Sequence, residues 1–303
     1  MSEHFFDLQV NGYAGVDFNR DGLTGEELQR ACAALKAAGV IGFLPTIITE
    51  HIPVIARRLE TMARLREEDA LARALIRGFH IEGPFISPLD GYRGAHPADA
   101  VRPANLDDMK LLLDAAQGLA KLVTLAPEHD ENFTVTRFLS AQNVRVAAGH
   151  SDASLDQLRG ALDAGLSLFT HLGNGCPMLL PRHDNIVQRA LSLEKLKLSF
   201  IADGAHIPFF ALKNYIRAAG VERCVIVTDA IAPASLGPGR YTMGRWELEI
   251  GADMVARAPD GSHLVGAAIT MPQSAQNLVQ HLALSKSDVR RLTWDNPRTF
   301  LET

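Results

Sequence analysis

Short apolar segments alternate along this chain with longer amphipathic ones, with little interruption. The apolar segments, many of them rich in β-branched residues, predict eight strands at Phe5–Val10, Gly39–Pro45, Ile76–Ile81, Lys121–Leu125, Val144–Ala148, Leu166–Thr170, Leu196–Ile201 and Arg223–Thr228. Between them, stretches such as GEELQRACAALKAAG and SLDQLRGALDAG repeat apolar residues at three- and four-residue steps, which predicts helices. Eight strands, each followed by a helix or crossover, predict a (β/α)8 TIM-type barrel. The competing topology is a doubly wound open sheet, which usually places its site at one crevice.

The pattern changes after the eighth strand. RYTMGRWELEIGADMVARAPDG alternates in polarity and predicts a hairpin near the barrel mouth. TMPQSAQNLVQHLALS and SDVRRLTWDNPRTFL predict two closing helices. Because no repeat, low-complexity tract or long linker interrupts the chain, we predict a single domain over residues 1–303.

Four polar side chains follow strand-like segments at the point where each segment ends. They are Glu82 in GFHIEGPF, His150 in VRVAAGHSD, His171 in LSLFTHLGN and Asp229 in CVIVTDA. The C-terminal ends of parallel barrel strands meet at one mouth, so we expect these side chains to lie close together. Two imidazoles and a carboxylate suit zinc and leave a coordination position open for water. The pattern therefore predicts a metal-dependent hydrolase.

Composition excludes several other classes of protein. The 303 residues are 47% hydrophobic and 21% charged, within the usual globular range, and the net charge of -5 gives no electrostatic footprint for nucleic acid. No apolar run approaches the roughly 20 residues that cross a bilayer, and MSEHFFDLQV has no basic signal-peptide start. Three cysteines without CxxC spacing indicate reduced thiols and a cytoplasmic location.

Eight stretches of the sequence resemble the N-acetylglucosamine-6-phosphate deacetylase family of the amidohydrolase superfamily. They occur in the family's order and at compatible spacing: DLQVNGYAGVDFN, GFHIEGPFI with RGAH downstream, AGHSDAS, THLGNGCP, IADGAHI, VTDA, the ITM-to-NLV stretch and DNPRTFL. The resemblance implies hydrolysis of N-acetylglucosamine 6-phosphate, or its galacto epimer, to acetate and the amino-sugar phosphate. It also implies that Glu82, His150 and His171 bind one divalent ion, Zn²⁺ or alternatively Fe²⁺, Co²⁺ or Mn²⁺. Asp229 would then be the catalytic residue that takes a proton from water and passes it to the departing amine.

The same resemblance implies the substrate-binding residues. His206 would contact the substrate at the mouth of the seventh strand, and His96 would approach it from the loop after the third. Asn174 and Gly175 occupy the positions of a family loop that contacts sugar or phosphate. Arg182 falls where the family has its phosphate-binding arginine, which often reaches into a neighbouring subunit's site and so implies a homodimer. His80 is expected to support Glu82 from the same strand face. The remaining histidines are interpreted as structural or surface residues: His4, His51, His129, His183, His263 and His281.

Gln9 and Asn11 occupy the HxH position with which many amidohydrolases bind a second metal. Amides are poor ligands for a transition metal beside imidazole and carboxylate. We therefore expect one metal, with the two amides adjusting its surroundings from the first strand.

Two departures from the family leave the substrate open. The small β-sandwich that accompanies the family's barrel is expected to be absent, and RHDN stands where the family reads REPG. The alternatives are a metallohydrolase for another N-acyl or cyclic amide without phosphate, and a non-catalytic sugar-binding paralogue. Retention of the three ligands and Asp229 argues against the paralogue.

Overall fold

A computed structural model describes residues 4–243, 246–261 and 264–302. Eight parallel strands lie side by side in chain order. They are β1 (Phe5–Val10), β2 (Val40–Ile48), β3 (Phe79–Glu82), β4 (Ala120–Leu125), β5 (Arg145–Ala148), β6 (Leu166–Phe169), β7 (Lys197–Ile201) and β8 (Cys224–Val227). The predicted strands are confirmed: β1 has its predicted bounds, and the ends of the others shift by at most three residues. Shifts of three residues occur at the end of β2, which continues to Ile48, and at the start of β3, because Ile76 forms only an isolated bridge with Phe43 before the regular strand begins.

The first and last strands meet and close the barrel. An isolated parallel bridge joins Val10 to Ala230, and the Asn11 amide donates to the Ala230 carbonyl at 2.7 Å. Side chains add to this seam, since the Thr228 hydroxyl donates to Asp7 Oδ2 at 2.5 Å. The closed form agrees with the predicted (β/α)8 barrel and excludes the open sheet.

Helices connect the strands, and polar caps define several of their starts. The Ser154 side chain accepts from the Gln157 amide while the Gln157 side chain reaches back to the cap, and Thr24 and Thr270 begin helices in the same way. The helices are α1 (Gly25–Ala37), α2 (Ile52–Glu68), α3 (Ala70–Leu75), α4 (Leu106–Ala115), α5 (Thr134–Ala141), α6 (Leu155–Ala164), α7 (Ile186–Leu191), α8 (Phe209–Ala219), α9 (Met271–Gln280), α10 (Lys286–Arg290) and α11 (Asn296–Glu302).

Apolar side chains pack in two main regions. The larger lies between the outer faces of the strands and the surrounding helices. The second draws residues from most of the strands, including Phe6, Leu44, Leu122 and Leu168, and such residues can meet only inside the barrel. Phe300 of α11 joins this inner cluster. The polar ends of the strands therefore stand above a filled apolar interior.

The chain beyond β8 forms a small antiparallel sheet of β9 (Gly239–Met243), β10 (Trp246–Ile250) and β11 (Ala256–Arg257). Residues 244–245 of the predicted hairpin, and His263, lie outside the described residues. A π-helical turn, Arg291–Asp295, connects α10 to α11. In the described ranges we find no β-sandwich beside the barrel, and no helix there is long and apolar enough to span a membrane.

Candidate metal and catalytic site

The strand ends place four polar side chains at one mouth of the barrel. Glu82 is the last residue of β3, and His150, His171 and Asp229 each lie two residues beyond the end of a strand. These three residues have positive φ angles of 53°, 31° and 52°. Non-glycine residues rarely adopt this left-handed conformation, which tends to occur at functional sites where the surrounding structure enforces it.

Glu82, His150 and His171 converge as a buried triad. One ligand atom from each lies within 4.8 Å of the other two. Glu82 Oε1 is 3.0 Å from His171 Nε2 and 3.5 Å from His150 Nε2. Nitrogen and oxygen donors in this arrangement suit a divalent ion such as zinc. The triad is the set that the strand-end pattern singled out; its role as ligands stays a prediction.

The His150 ring is oriented for ligation. Its Nδ1 lies 2.9 Å from the Tyr92 carbonyl, which can only accept, so Nδ1 carries a proton and Nε2 is the nitrogen that faces the triad and that a cation would take. Two glycines leave room for the ring. A Cβ on Gly175 would lie 2.8 Å from His150 Nδ1, and one on Gly94 would lie 3.3 Å from Cε1.

Glu82 and the two histidines of the triad also stabilise one another's charged forms. Burial acts to raise the pKa of Glu82, but hydrogen bonds from His150 and His171 outweigh it and hold that pKa well below its usual range. Burial acts to lower the pKa of His171, and the bond to Glu82 more than compensates, so this pKa is raised. A carboxylate that stays ionised in a buried site is ready to balance a cation.

The first-strand amides contact the triad and Asp229. Gln9 Nε2 donates to Glu82 Oε1 at 3.1 Å, and Asn11 Nδ2 donates to Asp229 Oδ1 at 2.6 Å. Burial, followed by repulsion from Glu82, raises the pKa of Asp229 to about 6. The carboxylate is thus poised to exchange a proton near neutral pH.

Asp7 and Thr228 support this arrangement from the barrel seam, and sequence reasoning missed both. The Thr228 hydroxyl donates to Asp7 and accepts from the Ala230 amide at 3.1 Å, so its hydrogen bonds hold the chain before and after Asp229. The available signal was an acidic residue between Phe6 and Leu8, inside a segment predicted to be a barrel strand, because a charge buried there needs a partner.

His80 does not contact Glu82 directly; it lies in a row of hydroxyl groups that crosses the barrel. Its Nε2 is 2.8 Å from Thr124 Oγ1, its Nδ1 is 3.3 Å from Thr46 Oγ1, and Thr124 contacts Thr170 at 2.8 Å. Burial lowers the pKa of His80 to about 4, so the ring is neutral. No hydrogen bond from His80 to Glu82 is found among the described residues, and the expected support of Glu82 stays a prediction.

Of the two predicted substrate histidines, His96 lies deepest. It is buried, with Nε2 3.2 Å from His150 Nε2, and burial together with the neighbouring His150 lowers its pKa to about 3. Its Nδ1 has no partner among the described residues. His206 donates from Nδ1 to Asp203 Oδ2 at 2.6 Å, and Asp203 also accepts the His206 backbone amide at 2.9 Å. Asp203 is a second supporting residue that the sequence reasoning did not name.

The loop after β6 carries the remaining predicted residues, and it does not bring all of them to the triad. Asn174 Nδ2 donates to the His171 carbonyl at 3.2 Å, and Gly175 lies against the His150 ring. Arg182 is exposed and has no hydrogen-bond or ion-pair partner among the described residues. The structure therefore leaves Arg182 available at the surface of the loop.

A closed eight-stranded barrel with a Glu–His–His triad and a separate aspartate at its mouth defines a metal-dependent hydrolase of the amidohydrolase class. No family model matches the chain. Curated proteins, in contrast, match nearly the whole of its length. The N-acetylgalactosamine-6-phosphate deacetylase of Escherichia coli O157:H7 is 30% identical over 98% of this chain and 77% of the relative. The N-acetylglucosamine-6-phosphate deacetylase of Bacillus subtilis strain 168 is 30% identical over 96% of this chain and 72% of the relative.

Solved structures agree with the sequence relatives. The N-acetyl-D-glucosamine-6-phosphate deacetylase of Mycobacterium smegmatis superposes with a TM-score of 0.89 at 28% identity, covering 99% of this chain and 78% of that one. The enzyme of the same name from Thermotoga maritima gives a TM-score of 0.87 at 26% identity, covering 99% and 78%. The chain belongs to the N-acetylglucosamine-6-phosphate deacetylase family of the amidohydrolases, as the sequence motifs indicated.

Proposed function

We propose that the protein is a metal-dependent deacetylase that hydrolyses an N-acetyl amino-sugar 6-phosphate to acetate and the amino-sugar phosphate. The observation that carries this proposal is the convergence of Glu82, His150, His171 and Asp229 at one barrel mouth in a member of this family. Two relatives named above act, by name, on the galactosamine and glucosamine forms of this substrate.

The resident cofactor in this proposal is one divalent ion, best matched by Zn²⁺, held by Glu82, His150 and His171. The orientation of the His150 ring and the low pKa of Glu82 support the fit, because Nδ1 is held by a carbonyl while Nε2 faces the triad, and a ligating carboxylate must carry a negative charge. When bound, the ion supplies Lewis acidity that polarises oxygen atoms and lowers the pKa of water. Gln9 and Asn11 are committed to Glu82 and Asp229, which supports a one-metal site.

Asp229 performs the proton transfers. Asn11 holds one of its carboxylate oxygens, which leaves the other for a water molecule attacking the amide carbonyl. With a pKa of about 6, Asp229 is mostly ionised at neutral pH, yet its protonated form is acidic enough to protonate a departing amine. Amide hydrolysis needs both services, because an unprotonated amine is a poor leaving group.

Arg182 is proposed to recognise the phosphate. Its guanidinium can donate two hydrogen bonds to a phosphate at once, and it has no partner in the described part of the chain that would compete. If the loop reaches a neighbouring subunit's site, the working unit is a homodimer.

The deciding experiment compares phosphorylated and unphosphorylated N-acetylglucosamine and N-acetylgalactosamine at matched concentrations, with acetate release as the readout. We expect the phosphorylated sugars to be preferred, and Arg182→Ala to raise KM about 10-fold or more with little change in kcat, the pattern of lost uniform binding. Arg159→Ala serves as the control, because Arg159 is an exposed helix arginine whose only ion-pair partner in the described part of the chain is Asp156.

One observation favours a second candidate function. RHDN in place of REPG removes a Gly and a Pro from the loop that carries Arg182, which favours a metallohydrolase that acts on an N-acyl substrate without phosphate. Equal rates on phosphorylated and unphosphorylated sugars would select this second function. So would no rate on either, together with turnover of another N-acyl compound.

A further inference from the structure

The loop that carries Arg182 is exposed at its tip. Residues 181–184 are all exposed, and the loop ends where α7 begins at Ile186. An exposed loop tip has few apolar contacts to fix it. What holds Arg182 in place must therefore be sought among polar contacts.

Arg189, in the last turn of α7, connects this loop to the loop that follows β5. Its Nε donates to Asp184 Oδ1 at 2.6 Å. Its Nη1 donates to Asp152 Oδ1 and to the Ala153 carbonyl, each at 3.2 Å. The Arg189 side chain is only 15% exposed. A planar guanidinium that donates to two carboxylates and a carbonyl is a rigid connection rather than a loose surface pair.

Asp152 is itself firmly anchored near the metal site. Its amide donates to Glu128 Oε1 at 2.7 Å, and the neighbouring Ser151 hydroxyl donates to Glu128 Oε2 at 2.7 Å. Asp152 lies two residues after the predicted metal ligand His150, so the chain ties the anchor point of Arg189 to the metal site.

Asn185 completes the attachment at the other end of the tip. Its side chain accepts from the Gln188 amide at 3.1 Å and donates to the Pro181 carbonyl at 2.8 Å. Arg182 lies between Pro181 and Asp184, so both flanks of its short segment are held. Asp184 and Asn185 are the last two residues of the RHDN stretch, where the family reads Pro and Gly.

We propose that Arg189 is a positioning residue that, through Asp184 and Asp152, fixes the loop so that Arg182 is set relative to the metal site. The hydrogen bonds of Arg189 to Asp184 and Asp152, called the polar latch below, take over the conformational restraint that Pro supplies in the family's REPG. This inference rests on the proposed function in one respect only: Arg182, the residue that the latch positions, is the one proposed to bind phosphate. The attachment of the loop itself can be tested without any substrate.

The first test uses the peptide bond after Arg182 as a reporter, because trypsin cuts exposed loops in proportion to their local opening. Arg189→Met is expected to accelerate cleavage after Arg182 by roughly 3- to 10-fold, since a charge-assisted hydrogen bond at a partly exposed site is lost. Cleavage outside the loop should not change. Arg159→Met is the matched control, because it also breaks an arginine–aspartate pair but lies on α6 with Asp156 as its partner. Arg189→Lys keeps the charge but not the planar guanidinium with its several donors, so its rate of cleavage after Arg182 should lie between those of wild type and Arg189→Met.

The second test separates positioning from general damage. Arg189→Met is expected to raise KM for the phosphorylated sugar by roughly 3- to 10-fold with kcat unchanged. That rise should vanish when Arg182 is already replaced by Ala, because the latch then has nothing to position.

Unchanged cleavage after Arg182 in Arg189→Met would overturn the latch. Faster cleavage with an unchanged KM, in an enzyme that does use phosphorylated sugars, would overturn the positioning role. If phosphorylated sugars are not hydrolysed at all, the proposed function fails, while the cleavage rate still decides whether Arg189 holds the loop.

Discussion

Asp7→Asn removes an ionisable group from the seam of the barrel, and its effect on stability should depend on pH. Asp7 is fully buried, and burial raises its pKa from 3.8 to about 7 against the opposing effect of the bond from Thr228. The folded protein therefore binds more protons at this site than the unfolded chain does between these two values. Under that condition the free energy of unfolding falls as pH rises through the window and stays low above it.

The magnitude follows from the same two values. The difference of about three pKa units corresponds to about 4 kcal/mol, of which about 3 kcal/mol is lost between about pH 5 and about pH 8. Asn has the shape of the neutral acid. Its amide nitrogen can donate to Thr228 Oγ1, whose own proton can turn to the Gln9 carbonyl at 3.3 Å, so no buried polar group need be left without a partner.

The assay is urea-induced unfolding, followed by far-ultraviolet circular dichroism, of wild type and Asp7→Asn across this pH range at one fixed metal concentration. The free energy of unfolding of the variant, relative to that of wild type, should rise by about 3 kcal/mol between about pH 5 and about pH 8. Asp253→Asn is the control, since its bond to Arg257 lowers the pKa of this exposed carboxyl and keeps it ionised throughout the range. A stability difference between wild type and Asp7→Asn that does not change with pH, or a wild type that is more stable at the higher pH, would refute the reasoning.

Further predictions concern the metal and Asp229, the proposed catalytic residue. Purified protein should contain about one equivalent of divalent metal by elemental analysis, and His171→Ala should lower that content; two equivalents with ligands from the first strand would contradict the single site. Asp229→Asn should keep the fold and the metal while kcat falls by about 10²–10⁴-fold, because the amide cannot accept a proton. Near-normal turnover in that variant would move the proton transfers to another residue.

The strand ends were the most predictable part of the molecule. Glu82, His150, His171 and Asp229 each interrupt an apolar segment with a polar residue, and parallel strands leave such residues at one mouth, so local pattern was enough to group them. The start of β3 was less predictable, because Ile76 is as apolar as the strand yet pairs with Phe43 only as an isolated bridge.

Partners that are far apart in the chain could not be read in the same way. Asp7 and Thr228 are separated by 221 positions, and nothing in either segment specifies the register in which the barrel closes. Asp184 and Asp152 likewise come together only through Arg189, so RHDN looked like a lost family motif rather than an alternative restraint. Such contacts depend on how loops from different strands meet, which periodicity does not encode.

The closure of the barrel between its first and last strands has a consequence for the order in which the molecule is made. β1 pairs early with β2, but its other edge waits for residues 224–230, near the end of the barrel-forming chain. Until they emerge from the ribosome, β1 presents an unpaired edge, and such edges invite association with other chains. Contacts of this sequence separation also make the last step of assembly slow. Because Asn11 meets Asp229 at this same seam, the proposed proton-transfer residue reaches its final position only when synthesis of the barrel is complete.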